Sequence, residues 1–323
     1  MSGPGGPVGE AASVAGVWGG RAAGVLLHPT SLPGPHGVGE LGPEAVRWLD
    51  LLAAAGQRVW QVLPLGPTGY GDSPYQSFSA FAGNPYLIDV GALAAAGLVA
   101  DAELDPLRAM PSRRVDFGGL YALKLPLLRR AADAFLAAGG ESEPAFRAFR
   151  EREAAWLEDF ALFMALKEEA GGAPWTSWDR PLRLREPAAL ADARERLAAE
   201  VARQRVWQYW FDAQWSAVKA QAAARGIRVL GDAPIFVALD SADVWAHPEL
   251  YHLAEDGRPT VVAGVPPDYF SATGQRWGNP LYRWDVLARR GYDWWVSRLR
   301  SALERVDLVR IDHFRGFAAY WEV

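Results

Sequence analysis

A guanidinium and a carboxylate stand two residues apart near the end of the sequence, in the stretch Val306-Asp-Leu-Val-Arg-Ile-Asp-His-Phe-Arg-Gly316. The apolar residues predict a buried strand, in which alternate side chains share a face, so Leu308, Arg310 and Asp312 point the same way. A neighbouring Arg favours the ionised carboxylate, which a carboxylate nucleophile requires. A structural Arg–Asp ion pair at a strand end explains the same spacing equally well.

The composition excludes several classes of function. The net charge of -5 argues against nucleic acid as the main partner, and the absence of cysteine excludes disulfides, thiolate nucleophiles and zinc–thiolate sites. No apolar run approaches the roughly 18 residues of a membrane helix, so no membrane partner is predicted. Residues 1–20 are rich in Gly, Ala and Pro and lack the pattern of a signal peptide. We therefore expect a disordered tail and a cytoplasmic protein.

Aromatic residues are abundant, with 15 Trp, 10 Tyr and 13 Phe among 323 residues. Some of them must form the core. This number also suits carbohydrate binding, because an aromatic ring can stack on the apolar C–H face of a sugar.

Strands and helices alternate at the start of the sequence. A strand over 22–28 precedes a helix that opens at Gly42-Pro43, with Pro at its first position, and ends near Gly56. A second strand over 58–64 completes a βαβ unit. Because such a unit joins parallel strands, the sequence predicts a parallel sheet.

The alternation resumes late in the chain, with a third strand over 227–233, a helix over about 284–305 and the opening stretch as the fourth strand. Residues 91–205 between the two halves predict a helical insertion, whose apolar stripes are typical of a core. Its clearest helices begin near Ser142 and near Pro187, and the second runs to about Arg225.

Two long loops follow strands and would lie where parallel barrels build their sites. The loop over 66–86 is aromatic and rich in small polar residues, a content that argues against disorder. The loop over 264–280 begins with paired prolines and is predicted to be a polar and aromatic lid.

A glycine pattern before the first helix resembles a dinucleotide fingerprint, with Gly37, Gly39 and Gly42 in the GxGxxG spacing. A proline-rich loop separates these glycines from the strand, and no acidic residue follows the second strand, so the context is wrong. Phosphate-loop and HExxH metal motifs are also absent from the sequence. We therefore predict neither a cofactor nor a metal.

Two aspartates, Asp232 and Asp312, end predicted parallel strands. Carboxylates surrounded by aromatic residues point to glycoside chemistry, in which a retaining enzyme uses two carboxyl groups about 5–5.5 Å apart. Spacing alone suggests pairing Asp232 with Asp312, although nothing in the sequence fixes their distance.

Several longer motifs resemble those of the 4-α-glucanotransferases, also called amylomaltases or disproportionating enzymes (glycoside hydrolase family 77, α-amylase clan). The resemblance covers roughly residues 20–323. The motifs are Leu27-His-Pro-Thr-Ser-Leu-Pro33, Gln61-Val-Leu-Pro-Leu-Gly-Pro-Thr68, Asp72-Ser-Pro-Tyr-Gln-Ser77, Gly231-Asp-Ala-Pro-Ile-Phe-Val237, Pro266-Pro-Asp-Tyr-Phe-Ser271, Gly278-Asn-Pro-Leu-Tyr282 and Arg310-Ile-Asp-His-Phe-Arg-Gly316.

The resemblance implies a role for each matching residue. Asp312 matches the catalytic nucleophile, and Arg310 matches the arginine that keeps it ionised. Asp232 matches a substrate-binding aspartate, which replaces the pairing suggested by spacing. The other implied glucan-binding residues are Tyr75 and His313 at the donor subsites, Trp277 and Asp268 on the lid loop, Ser73 in the motif before Tyr75, and Tyr70 at a secondary surface site.

One departure from the family pattern is large. The family's acid/base Glu follows its fifth barrel strand and its stabilising Asp follows the seventh, whereas this sequence ends about ten residues after the fourth. Glu322 stands too close behind the fourth strand to be that Glu. We therefore expect residues 1–323 to lack both carboxylates, and their activity alone to be doubtful.

The resemblance implies an α/β fold of the (β/α)₈ TIM-barrel type, of which the chain holds the N-terminal portion of about four strands. The predicted domains are a tail over 1–20, a barrel portion over 21–90 and 206–323, and the insertion over 91–205.

The implied activity is retaining transfer of α-1,4-glucan from a maltooligosaccharide donor to a glucose or maltodextrin acceptor. A non-catalytic glucan-binding remnant remains the alternative. A starch-hydrolysing amylase relative is disfavoured by the motifs.

Overall fold

The chain is mixed α/β, with strands near both ends and helices between them. The computed structural model describes residues 20–267, 269 and 271–323, without the side chain of Tyr70. Apart from Gly20, the predicted tail therefore lies outside the described residues. The strands are β1 (Gly24–Leu26), β2 (Val59–Gln61), β3 (Arg228–Pro234), β4 (Val262–Val265), β5 (Gln275–Pro280), β6 (Leu308–Asp312) and β7 (Trp321–Glu322).

Helices fill most of the sequence between β2 and β3. The α-helices are α1 (Pro43–Ala54), α2 (Val90–Ala95), α3 (Asp105–Arg108), α4 (Phe117–Ala137), α5 (Pro144–Arg152), α6 (Ala154–Glu169), α7 (Arg180–Arg183), α8 (Pro187–Arg196), α9 (Ala198–Ala224), α10 (Ala242–Ala246), α11 (Trp284–Arg289) and α12 (Asp293–Arg305). The bounds predicted for the insertion remain a prediction, and α9 runs across the later of them.

The main sheet contains four parallel strands in the order β1-β2-β3-β6. This confirms the parallel sheet predicted from the βαβ unit. The strand that carries Arg310 and Asp312 is not buried as predicted, because β6 is half-buried to exposed along its length. Within the described residues it pairs only with β3, so its outer edge has no neighbouring strand to cover it.

Three of the predicted helices are each divided into two, so the predictions of single helices are wrong. The breaks fall at Glu153, at Leu197 and around Tyr292. At the third break Gly291 and Tyr292 both adopt positive φ, of 64° and 56°, which ends α11 and starts α12 in a new direction. The sequence hides these breaks because the apolar spacing continues through each of them.

A second, antiparallel sheet has the order β5-β4-β7. The loop predicted over 264–280 is therefore partly wrong, since residues 275–280 form β5. Exposed polar residues and Gly278, with a φ of 79°, mask the strand signal of this segment. The hairpin formed by β4 and β5 brings Trp277 next to the end of β6.

Two hydrophobic cores support these sheets. One joins α1, β2, α4 and α9, where Trp60 of β2 packs on Trp215 with ring centroids 6.0 Å apart. The other joins α6, α12 and the segment after β3, and contains Trp245 and Tyr282. Among the described residues, no helix has the length and apolarity needed to cross a membrane.

His28, just after β1, should make stability depend on pH. Burial lowers the pKa of His28 to about 4, and the hydrogen bond that its ring donates to the backbone of Leu63 offsets this only in part. An unfolded His titrates near 6.5, so between pH 6.5 and 4 the unfolded chain binds more protons and folding weakens as pH falls. Over this interval the wild type should lose up to about 3 kcal/mol of unfolding free energy, and His28→Gln should not show this loss. Urea unfolding at several pH values would measure it. The prediction would be contradicted if the unfolding free energy of the wild type and of His28→Gln changed equally with pH.

Candidate functional site

Two aspartates and an arginine meet at the C-terminal ends of β3 and β6. The register places Arg310 opposite Asp232, and Asp312 opposite Pro234. Nη1 of Arg310 donates to Oδ1 of Asp232 at 2.7 Å, and Nη2 donates to Oδ1 of Asp312. One guanidinium therefore bridges both carboxylates.

The two aspartates differ in their surroundings. The side chain of Asp232 has no exposed surface, and its second oxygen accepts a 2.7 Å hydrogen bond from the Tyr75 hydroxyl. The side chain of Asp312 is 38% exposed. Within the described part of the chain, only one oxygen of Asp312 is hydrogen bonded. Each oxygen of Asp232 therefore has a hydrogen-bond partner, whereas one oxygen of Asp312 has none among the described residues.

The ionisation of the surrounding groups is consistent with this network. Partial burial raises the pKa of Tyr75 to about 12, assisted by the hydrogen bond to Asp232. Burial alone would lower the pKa of Arg310, but the hydrogen bonds and charges of Asp232 and Asp312 outweigh it and raise that pKa. At neutral pH, Tyr75 is therefore a hydroxyl donor and Arg310 is a cation.

A cavity of about 340 Å³ opens beside Asp312. The Trp277 ring lies edge-on to the His313 ring, with centroids 5.1 Å apart. This cavity has the mixed aromatic and polar lining expected of a small-molecule site. Its lining residues are Tyr75, Gln76, Pro234, Ile235, Phe236, Trp277, Asn279, Asp312 and His313.

Tyr75 lies on the loop after β2, and contacts with α9 hold this loop in place. The Gln208 amide bonds both backbone groups of Gly83, accepting from its N–H at 2.6 Å and donating to its carbonyl at 2.9 Å. A Cβ at Gly83 would come within 2.0 Å of the Phe211 ring, so only glycine fits there. The base of the loop is closed by Gly69, whose N–H bonds the carbonyl of Gln76 at 2.6 Å.

His313 ends β6 in a left-handed backbone conformation with a φ of 55°. Such a conformation is uncommon for a residue with a side chain and concentrates at functional sites. Gly316 packs against it, because a Cβ at Gly316 would lie 3.0 Å from Cδ2 of His313 and 2.8 Å from Ile235. The turn therefore directs the imidazole towards the cavity.

The predicted site residues fall into three groups. Six of them meet at this cavity or at the network beside it: Tyr75, Asp232, Trp277, Arg310, Asp312 and His313. Ser73 is not among the lining residues, and its hydroxyl accepts the backbone N–H of Tyr75 at 3.3 Å. Asp268 and the side chain of Tyr70 lie outside the described residues.

Sequence reasoning assigned no role to Phe236 or Asn279, although both line the cavity. The Phe236 ring lies 6.5 Å from Trp277 and 6.2 Å from Tyr282 between ring centroids. Both residues belong to motifs that carried the resemblance. The signals that could have found them are the place of Phe236 directly after the predicted third strand and that of Asn279 in the motif Gly278-Asn-Pro-Leu-Tyr282.

The comparisons with known proteins identify the family. A family profile described as 4-alpha-glucanotransferase matches residues 27–323. The chain belongs to the 4-α-glucanotransferase family. Its relatives include the 4-alpha-glucanotransferase of Thermus thermophilus, with 65% identity over 94% of this chain and 60% of the relative, and that of Synechocystis, with 48% identity over the same shares. The chain thus spans about 60% of the length of these 4-α-glucanotransferases.

Solved structures of the family have the same α/β fold. The amylomaltase from Streptococcus agalactiae, solved in complex with acarbose, has a TM-score of 0.88 and 43% identity, covering 94% of this chain and 61% of that one. The amylomaltase from Corynebacterium glutamicum has a TM-score of 0.77 at 22% identity, covering 96% of this chain and 43% of the other, and supports the fold alone.

Proposed function

We propose that this chain supplies the nucleophile and the donor-binding surface of a 4-α-glucanotransferase, which transfers α-1,4-glucan between maltodextrins. In this proposal β1, β2, β3 and β6 are the first four strands of a (β/α)₈ barrel. The helices between β2 and β3 form its insertion. Family membership supports the reaction class, and the position of the cavity at the strands' C-terminal ends supports the barrel.

The observation that carries the proposal is the difference between the two aspartates. Asp232 is buried and both its oxygens are hydrogen bonded, so it is suited to a fixed role in binding and orientation. Asp312 is half-open to the cavity and is held by Arg310 through one oxygen. A carboxylate nucleophile needs this combination of a fixed orientation and a free oxygen.

The proposed reaction is a retaining double displacement. A free oxygen of Asp312 bonds to the anomeric carbon of the donor, and the bond from that carbon to the leaving glucan oxygen breaks. The 4-hydroxyl of an acceptor glucan then attacks the same carbon, and Asp312 leaves as a carboxylate. The leaving oxygen gains a proton in the first step and the acceptor hydroxyl loses one in the second.

No residue of 1–323 is assigned to that proton transfer or to the third, stabilising carboxylate. The part of the mechanism proposed for this chain is therefore limited to binding, orientation and nucleophilic attack. Trp277, which is only partly buried, would stack on a glucose ring, and the buried Phe236 ring would pack beside it. The acarbose complex of the Streptococcus agalactiae amylomaltase supports such a saccharide site in a close structural relative.

A substrate with a leaving group that needs no proton tests the nucleophile separately from the acid. Fluoride departs from α-maltosyl fluoride without protonation, so we expect residues 1–323 to gain one maltosyl group. Intact-mass spectrometry would measure the gain, and peptide mapping should place the ester on Asp312. A label on another residue, or no label at all, would overturn the proposal.

We expect the same protein to show no disproportionation of maltotriose, because that leaving group does need a proton. Chromatography of glucose and longer maltodextrins is the measurement. Formation of both products would show that a residue of 1–323 supplies the proton. Binding of maltoheptaose without any labelling would instead favour a glucan-binding remnant.

A further inference from the structure

Three buried side chains donate hydrogen bonds to backbone carbonyls at the end of β3 and just after it, over residues 234–237. Arg298 donates to the carbonyl of Pro234 at 2.5 Å and to that of Ile235 at 3.2 Å. The other two donors are Tyr282, whose hydroxyl bonds Ile235 at 3.0 Å, and Asn279, whose amide bonds Val237 at 2.8 Å. We call Arg298, Tyr282 and Asn279 the carbonyl clamp.

Arg298 is placed with unusual rigidity for a charged side chain. It belongs to α12 and is only 5% exposed. Its guanidinium lies over the rings of Trp295 and Trp294, 4.8 and 5.5 Å from their centroids, and 3.4 Å from the Tyr282 hydroxyl. A planar fork that spans two consecutive carbonyls and rests on aromatic faces can be provided only by arginine.

The segment that the carbonyl clamp holds forms one wall of the site. Pro234, Ile235 and Phe236 all line the cavity beside Asp312. Asn279 belongs to β5, which also carries Trp277. The carbonyl clamp therefore fixes the buried Phe236 ring against Trp277, with centroids 6.5 Å apart, and these two rings form the aromatic wall of the cavity.

We propose that Arg298 is a positioning residue for glucan binding, acting through the carbonyls of Pro234 and Ile235 to set the aromatic wall that receives the sugar. This inference rests on the proposed function. The side-chain hydrogen bonds of the Asp232–Arg310–Asp312 network come from Tyr75 and Arg310 and not from Arg298. Loss of Arg298 should therefore weaken binding and leave the attack of Asp312 unchanged.

The test measures binding and chemistry separately in Arg298→Met. Calorimetry with maltoheptaose should give a Kd about tenfold higher than that of the wild type, since small displacements of positioning groups have effects of this order or larger. The labelling rate at saturating α-maltosyl fluoride should stay within about twofold. Arg298→Lys should recover part of the affinity, because an ammonium restores a donor without the fork.

Lys124→Met is the matched control for general loss of stability, since Lys124 is a fully buried cation that bonds Glu40 and Tyr86 and lies outside the site. Its maltoheptaose Kd should equal that of the wild type. Equal Kd values for Arg298→Met and wild type would overturn the inference. A maximal labelling rate that falls together with the affinity in both Arg298 variants, Arg298→Met and Arg298→Lys, would also overturn it.

Three further outcomes are decisive. If Arg298→Met does not fold, Tyr282→Phe decides, because it removes one hydroxyl of the carbonyl clamp and keeps the ring; its Kd should rise about threefold, and an unchanged Kd overturns the inference. If the wild type binds maltoheptaose without being labelled, the proposed transfer fails while the Kd comparison still tests Arg298. Absence of wild-type binding overturns both.

Discussion

Asp312→Asn should abolish labelling by α-maltosyl fluoride while leaving the fold and maltoheptaose binding intact. An amide has nearly the shape of a carboxylate but cannot attack the anomeric carbon. Removal of an enzymatic nucleophile typically costs roughly 10⁴-fold or more in rate, so no adduct should be detectable by mass spectrometry over hours. Residual labelling within about tenfold of the wild type would show that another group is the nucleophile.

Asp232→Asn is the matched control for this experiment, because it makes the same chemical change on the neighbouring strand. The buried amide would lose the ion pair with Arg310 and one of its two acceptor positions. We expect weaker maltoheptaose binding, and labelling at saturating fluoride that is slower by about tenfold. If Asp232→Asn and Asp312→Asn lost labelling equally, the two aspartates would instead be interpreted as a nucleophile and acid/base pair.

The parallel sheet was predictable because its signals are local. Pro43 at the first position of α1, Gly56 after its end and two short apolar strands within fifty residues require a βαβ unit. The shared face of Arg310 and Asp312 follows from the period of a strand. Both features depend on neighbours in sequence, and both are present in the structure.

The hydrogen bond from Arg310 to Asp232 could not be predicted from the sequence. Its two residues are 78 positions apart, and only the register of β3 against β6 brings them together. The same holds for Tyr75 and Asp232, which are 157 positions apart. These two contacts occupy both oxygens of Asp232 and so distinguish it from Asp312. Sequence spacing alone could not show this difference, so it left the roles of the two aspartates open.

The breaks at Glu153, Leu197 and Tyr292 were missed for a different reason. Helical periodicity reports which face is buried, and a kink that keeps the face towards the core leaves the period unchanged. The β5 strand was missed because its exposed polar residues lack the alternation expected of a strand. In each case tertiary contacts determined the element.

A buried ion network ties α4 to the loop after β1. Lys124 has no exposed surface; its ammonium pairs with Glu40 and donates to the carbonyl of Tyr86 at 2.8 Å. The second oxygen of Glu40 lies 2.7 Å from Nδ1 of His36. Burial lowers the pKa of Lys124 and raises that of Asp89, while Glu40 acts against the first shift and adds to the second.

Lys124→Met should lower the free energy of unfolding by about 3–5 kcal/mol, because it leaves the Glu40 carboxylate buried without its cation. Urea unfolding would measure the change. Lys219→Met is the control, since this partly exposed ammonium donates to the carbonyl of Glu304 at 3.0 Å and lies 3.5 Å from Asp307; it should cost at most about 1 kcal/mol. Glu40→Gln added to Lys124→Met should recover part of the loss, because it removes the uncompensated charge. If the two charges do not interact, the losses of unfolding free energy in Lys124→Met and in Glu40→Gln should simply add in the double variant. Such additivity would contradict this prediction.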